Sequence, residues 1–459
     1  MRTIPELSFA KSLFSGDTVL RAQTNSTRRV VVRNGVVTAN ASSSSGGVSA
    51  RVYRGGVYGF SSAAGFSDED VRNVIAAAGE NAKFLDSRLA YGRPALPAVG
   101  RFDGLDRPAE DPTEQKQLLD YALGLDAYIA QTYSDLLSRT VVVTGLNMEK
   151  CVLANEGCDF HSFVPRVYVY VFLTVEKDGE PFELFDCFGG GGTFGELYTH
   201  PEEHADAIDR LYRHVKAKSE GIFADAGIKT VILAPELSGM LAHEAVGHTS
   251  EGDFVLSGSV SAHNRGKEVA SELVTMIDYA NNINGKRCPM PVYVDDEGTP
   301  AEDAVLIEKG ILKDYMHSRE TALRLGCRPT GNARGFAYSD EPLVRMRNTV
   351  ILPGKDKFAD MIASVEDGYY LLSTSNGQAD STGEFTFGIS MGYEIRKGKL
   401  GRAIKNTSIS GVAFEMLKTV DMVSNDLYLE SNGMCGKKQS IPVGLGGPAL
   451  RCRVAVGGR

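Results

Sequence analysis

The stretch IKTVILAPELSGMLAHEAVGHTSEGD, residues 228–253, decides how this chain is read. Its first residues are a β-branched and aliphatic run of the buried-strand type. Pro235 then opens a helix in which Leu237, Met240, Leu241 and Ala245 recur at helical spacing and face a core. The same helix carries His243, Glu244 and His248. In the common zinc motif, His-Glu-x-x-His, the histidines stand four apart on one helical face. Here they stand five apart. At about 100° per residue, a regular α-helix would leave the two rings roughly 140° apart, too far around for one small ion. Gly247 offers the remedy. If the helix ends there or widens into a π-turn, which holds one extra residue, His248 swings back toward His243. Glu244, directly after the first histidine, takes the position of the general base.

A catalytic zinc site takes three protein ligands and keeps a fourth position for water. The pattern leaves the third ligand open. His200 and His204 lie four apart in a polar helix start, and His263 and His317 fall in the same region as the motif. Cys435 is another candidate: it stands between Gly433 and Gly436, which permit close backbone approach, and beside Lys437 and Lys438, which favour a thiolate. Cys452, in LRCRVAV, alternates like a strand residue and reads as packing.

The chain has 459 residues with 49 basic and 58 acidic side chains, a formal net charge of −9. That balance argues against a nucleic-acid partner. The longest apolar runs, such as VYVYVFLTV from Val167, are too short to span a bilayer as a helix, so no membrane association is expected. The first residues carry an early acid and no apolar h-region, which reads as no signal peptide. Seven dispersed cysteines without a Cys-x-x-Cys pair read as reduced thiols of a cytoplasmic protein.

The expected fold class is α+β, with N-terminal domains of hairpins and helices followed by a mostly β C-terminal domain that carries the metal-site helix. Three units are expected: an N-terminal α+β subdomain over 1–95, a middle α+β subdomain over 112–225, and a β-rich domain over 228–459. Asn34-Gly35 and Asp178-Gly179 mark hairpin turns between apolar runs. Ser67, followed by acids, opens a helix. ASSSSGG, residues 41–47, is read as a flexible loop, and residues 91–112, rich in Pro and Gly, as a linker. Asp111-Pro112 is expected to cap a helix through Leu118, Leu125 and Ile129. TVVVTGL and KCVLA are read as strands, and PEEHADAIDRLYRHVKAKSEG, from Pro201, as a helix. FGGGGTFGEL lacks the Gly-Lys-Ser/Thr ending of a phosphate loop and reads as a loop or strand-edge turn.

Four segments bear on family. HEAVGHTSEGD, DDEGTPAEDAVLIEKGILKDYM, RPTGNARGFAYSDEPLVRMRNT and CGKKQSIPVGLGGPALR, in this order, resemble the TldD side of the TldD/PmbA metallopeptidases, a family first named for modulation of DNA gyrase. ARVYRGGVYGFSS resembles the first domain of the same family. The resemblance implies that His243, His248 and Cys435 hold one Zn²⁺ per chain. It implies that Glu244 activates water for hydrolysis of unfolded peptides or leader peptides. It also implies a homodimer or a heterodimer with a PmbA/TldE-like subunit. Met434 stands where Thr is common, and Thr249-Ser250 follow the second histidine; neither touches a ligand position. FTFGISMGYEIR, residues 385–396, offers a strand edge for an extended peptide. Broad peptidase action requires an enclosed site, so folded proteins should be excluded. Two other readings stand beside this one: a non-catalytic subunit that binds peptides, and a gyrase-linked regulator.

Overall fold

The computed structural model describes residues 3–99, 102–107, 109–155 and 157–457. It is a mixed α+β architecture built on three main sheets. The first contains β1 (Asp17–Arg33), β2 (Val36–Arg54), β3 (Val57–Ala64), β4 (Phe102–Leu105), β5 (Ser138–Ala154), β6 (Cys158–Lys177) and β7 (Glu180–Gly191), in the order β3-β2-β1-β5-β6-β4, with β7 also paired to β6. Strands from residues 1–95 and from 112–225 thus share one sheet. Helices α1 (Asp68–Leu89) and α2 (Gln115–Thr132) cover it. The turns at Asn34-Gly35 and Asp178-Gly179 have positive φ at both residues, as tight hairpins require.

Several local expectations change. Residues 41–47 are strand, not loop: β2 runs through them paired to β1, and Ser44 and Ser43 bond Ser26 (3.0 Å) and Thr27 (2.7 Å) across the ladder. Small hydroxyl side chains suit residues 42–45 because both faces of the strand are open to water there. Residues 91–112 are not all linker, since β4 pairs in parallel with β6; residues 100, 101 and 108 lie outside the described ones. Asp111 does not cap α2. Its carboxylate accepts from Asn147 Nδ2 and Arg28 Nη1, both at 2.6 Å, and the helix starts at Gln115 after Glu114. TVVVTGL and KCVLA join in the single strand β5. Residues 201–204 form a 3₁₀ turn that leads into the helix Ala205–Ser219. The glycine tract belongs partly to β7, where Gly189–Gly191 pair with β6.

The C-terminal half holds the other two sheets. In one, β8 (Gly227–Leu233) lies between Asp367–Ala379 and Leu450–Val456; Thr407–Val412 and Glu384–Arg396 follow, and the last of these pairs back onto Asp367–Ala379, so the path closes. Glu384–Arg396 is therefore paired on both flanks. It offers no free edge, contrary to the expectation for residues 385–396. The other sheet has the inner strands Met276–Tyr279, Asn348–Ile351 and Ile441–Gly447, and ends at Tyr428–Cys435. The motif helix, starting at Pro235, sits between these sheets. Leu237, Leu241, Ala242, Ala245 and Val246 are buried in the largest core, against Leu233, Leu371, Phe387 and Val443. Full burial of each leucine contributes about 1.5–3 kcal/mol. Gly239 permits the contact with Ile441–Gly447: a Cβ there would lie 2.9 Å from Gly446 N.

Candidate metal centre

The motif helix changes its winding where the histidines fall. Pro235–Leu241 is α-helical, Ala242–Gly247 forms a π-turn, and His248–Ser250 a 3₁₀ turn. The His248 amide donates to His243 O, a bond from residue i to i+5 that stacks the two histidines as an α-turn stacks an i,i+4 pair. Their ring centroids are 5.1 Å apart. The widening expected at Gly247 is present, but its reason differs. Gly247 keeps helical angles (φ −56°, ψ −53°), so no conformational freedom is used. Space is what matters: a Cβ at Gly247 would meet Met346 Sδ at 2.1 Å.

Cys435 comes from the end of the edge strand Tyr428–Cys435. One ligand atom each from His243, His248 and Cys435 all lie within 4.8 Å of one another. Cys435 Sγ is 3.4 Å from His248 Nε2. His243 and Cys435 are buried, whereas His248 and Glu244 keep about a fifth of their side chains exposed. Glu244 Oε2 lies 3.7 Å from His248 Nε2. Of the other histidines, His200 is exposed, His204 stacks on Phe188 at 4.5 Å, and His263 and His317 do not join this group.

The electrostatics suit a cation. Burial alone would push the Cys435 thiol up, but hydrogen bonds and charge from His243 and His248 outweigh it and bring it down to about 4. The expected contribution of Lys437 is not made, because its ammonium turns to Asp253 (2.7 Å) and Glu251 (3.1 Å). Burial also opposes charge on His248, yet Glu251 and Cys435 hold its imidazolium well above the ordinary range. The donor set of two imidazoles and a thiolate is that of a zinc site. Buried His243 Nδ1 has no hydrogen-bond partner in the protein, so this ring is not tied up by other bonds.

Two supporting residues escaped the sequence reading. Glu251 is fully buried and accepts from His248 Nδ1 at 3.1 Å, fixing the ring. Arg345, also fully buried, donates Nη2 to Cys435 O at 2.6 Å and Nη1 to Lys437 O and Gln439 O, both at 2.9 Å. It thereby pins the cysteine loop. Glu251 lies three residues past His248, which is a signal of sorts. Arg345 is remote in sequence and gives none.

Comparison with known proteins places the chain among metallopeptidases. Residues 226–458 match the PmbA/TldA metallopeptidase C-terminal domain and residues 19–82 match domain 1 of the same metallopeptidases. The chain is 33% identical over 450 residues to a metalloprotease of Methanothermobacter thermautotrophicus, covering 96% of this chain and 94% of that protein. It is 36% identical over 320 residues to the metalloprotease TldD homolog of Haemophilus influenzae (68% and 65% covered). Over 253 residues it is 36% identical to the zinc metalloprotease TldD homolog of Saccharolobus solfataricus (55% and 56%). TldE from Thermococcus kodakarensis shares the fold, with a TM-score of 0.77 over 98% of both chains at 17% identity. The chain belongs to the PmbA/TldD family of metallopeptidases.

Proposed function

We propose that this chain hydrolyses unfolded peptides, with one Zn²⁺ held by His243, His248 and Cys435 and with Glu244 as general base. The convergence of two imidazoles and a thiolate within 4.8 Å, beside a carboxylate, carries the reading. When bound, zinc supplies a Lewis acid that polarises the scissile carbonyl. Glu244 stands at the exposed rim, where it can take the proton of the attacking water and pass it to the leaving amine. The Cys435 thiolate offsets one charge of the ion, which leaves more of the water activation to Glu244. Glu251 orients the His248 ring, and Lys437 neutralises Glu251.

Tyr428–Cys435 pairs with Ile441–Gly447 on one side and ends its sheet; Tyr168 and Tyr170 occupy the carbonyls of Ser431 and Asn432, so an extended peptide would pair at the Gly433–Cys435 end. Such docking reads backbone rather than side chains. Folded proteins, whose backbone groups are already paired, are excluded. The fold shared with TldE supports pairing with a TldE-like chain, and a homodimer is the other arrangement of like folds.

The test is Glu244→Gln assayed on an unfolded peptide. Zinc content should stay at the wild-type level while kcat falls about 10²–10⁴-fold. An unchanged kcat with zinc retained would remove Glu244 from the chemistry.

A further inference from the structure

We propose a second zinc site, formed by Asp314, His317 and Cys327 at the two ends of one short helix. The helix is Arg319–Leu325, within the segment DYMHSRETALRLGC, residues 314–327. Asp314 and His317 precede its N-cap, Ser318; Cys327 follows Gly326, whose φ of 66° ends the helix and turns the chain back. Among the described residues these three are the one other group, besides His243, His248 and Cys435, whose donor atoms all lie within 4.8 Å of one another. Asp314 Oδ1 is 3.5 Å from His317 Nε2 and 3.8 Å from Cys327 Sγ.

His317 decides the reading. Its side chain is fully buried, and Nδ1 is held by Thr321 Oγ1 at 3.2 Å. Nε2 therefore points into the cluster, where its polar neighbour, Asp314 Oδ1 at 3.5 Å, is too distant for a well-formed hydrogen bond. A buried imidazole nitrogen without a well-formed hydrogen bond is costly, and a bound ion would satisfy it. Imidazole, thiolate and carboxylate together are zinc donors, with a fourth position left to water on the half-exposed side.

The plainer reading is an ion-pair cluster closed by Arg265. Its guanidinium lies 3.1 Å from both Asp314 Oδ1 and Cys327 Sγ. That arrangement shows the same two donors facing a cation, yet it leaves His317 Nε2 with only the long contact to Asp314. Arg265 is 44% exposed and can withdraw into solvent as zinc enters. The ion would brace the segment that holds the motif's exit: Met316 N donates to Ser250 O (2.9 Å), and Gly252 N to Met316 O (2.8 Å), on either side of Glu251.

The inference stands apart from the catalytic assignment, and metal counting separates them. Purified protein is saturated with Zn²⁺, freed of excess and analysed for zinc per chain. Wild type should hold two ions and Cys327→Ser one, a halving, while Cys327→Ser keeps its peptide hydrolysis. Arg265→Ala, which removes the competing cation, should bind the second ion more tightly than wild type in a chelator competition. One ion in wild type and the same one in Cys327→Ser would overturn the proposal, as would an Arg265→Ala variant that takes up no second ion. Loss of hydrolysis in Cys435→Ser speaks only to the first site.

Discussion

His248 is held from both sides, by Cys435 at Nε2 and by Glu251 at Nδ1. A ligand held by its outer partner depends on that partner, so Glu251→Gln should weaken zinc binding about 10–100-fold. Competition with a chromophoric chelator measures this, and unchanged affinity would show the Glu251 contact to be incidental. Gly247 answers to a different constraint. Gly247→Ala drives a methyl against Met346 and should destabilise the fold by about 1–3 kcal/mol. It should also cost more zinc affinity than Ala245→Gly, a substitution in the same turn that adds no atoms. Thermal unfolding and the same chelator competition compare the two. The convergence of His243, His248 and Cys435 could be expected from sequence because motif spacing and family resemblance are carried by short segments. The task given to Lys437 could not, because which carboxylate it meets depends on where residues 251–253 arrive.

Among the elements, the five-residue spacing called for a helix that ends or widens at Gly247, and the π-turn between Ala242 and Gly247 is the widened form. The strand-to-helix order from Ile228 was equally legible, since apolar periodicity changes there. Less legible were features that hydrogen bonding between distant segments decides. Residues 41–47 look like loop until β1 is laid beside them, and Asp111 looks like a cap until Asn147 and Arg28 claim it. Arg345 is of this kind: it joins the strand-edge loop of Cys435 to the segment leading into Asn348–Ile351 through three carbonyls. Arg345→Lys keeps the charge and loses the fork. Each carbonyl left without a donor costs about 1–3 kcal/mol. The variant should therefore melt at lower temperature, and in cobalt-substituted protein the thiolate-to-metal absorption from Cys435 should weaken.

Across the whole molecule, the first sheet is tied to the C-terminal half by a buried ionic seam. Asp296 meets Arg21 Nη1 and Lys150 Nζ, both at 2.8 Å, and Arg319 joins Asp17 through both carboxylate oxygens. Burial would push the Asp296 carboxyl up; Lys150 and Arg21 outweigh it and bring it down to about 2. A carboxyl lowered on folding adds stability that is present above its unfolded value of about 3.9 and is lost as pH falls toward 2. Wild type should therefore lose stability more steeply than Asp296→Asn between pH of about 4 and 2. Near neutrality the variant should be about 3–5 kcal/mol less stable, because Arg21 and Lys150 stay buried without their partner. Urea titrations at several pH values check both statements. If entry requires an extended backbone, an irreversibly unfolded protein should be cleaved while its intact form at equal concentration is spared. Underlying all of this is the claim that one ion sits among His243, His248 and Cys435. Anomalous diffraction at the zinc edge from crystals of zinc-loaded protein tests it most directly. A peak is expected at about 2.0–2.1 Å from one nitrogen of each histidine and about 2.3 Å from Cys435 Sγ. A zinc-saturated crystal with no peak among these three residues, or with a peak held by the histidines and Cys435 turned away, would contradict it.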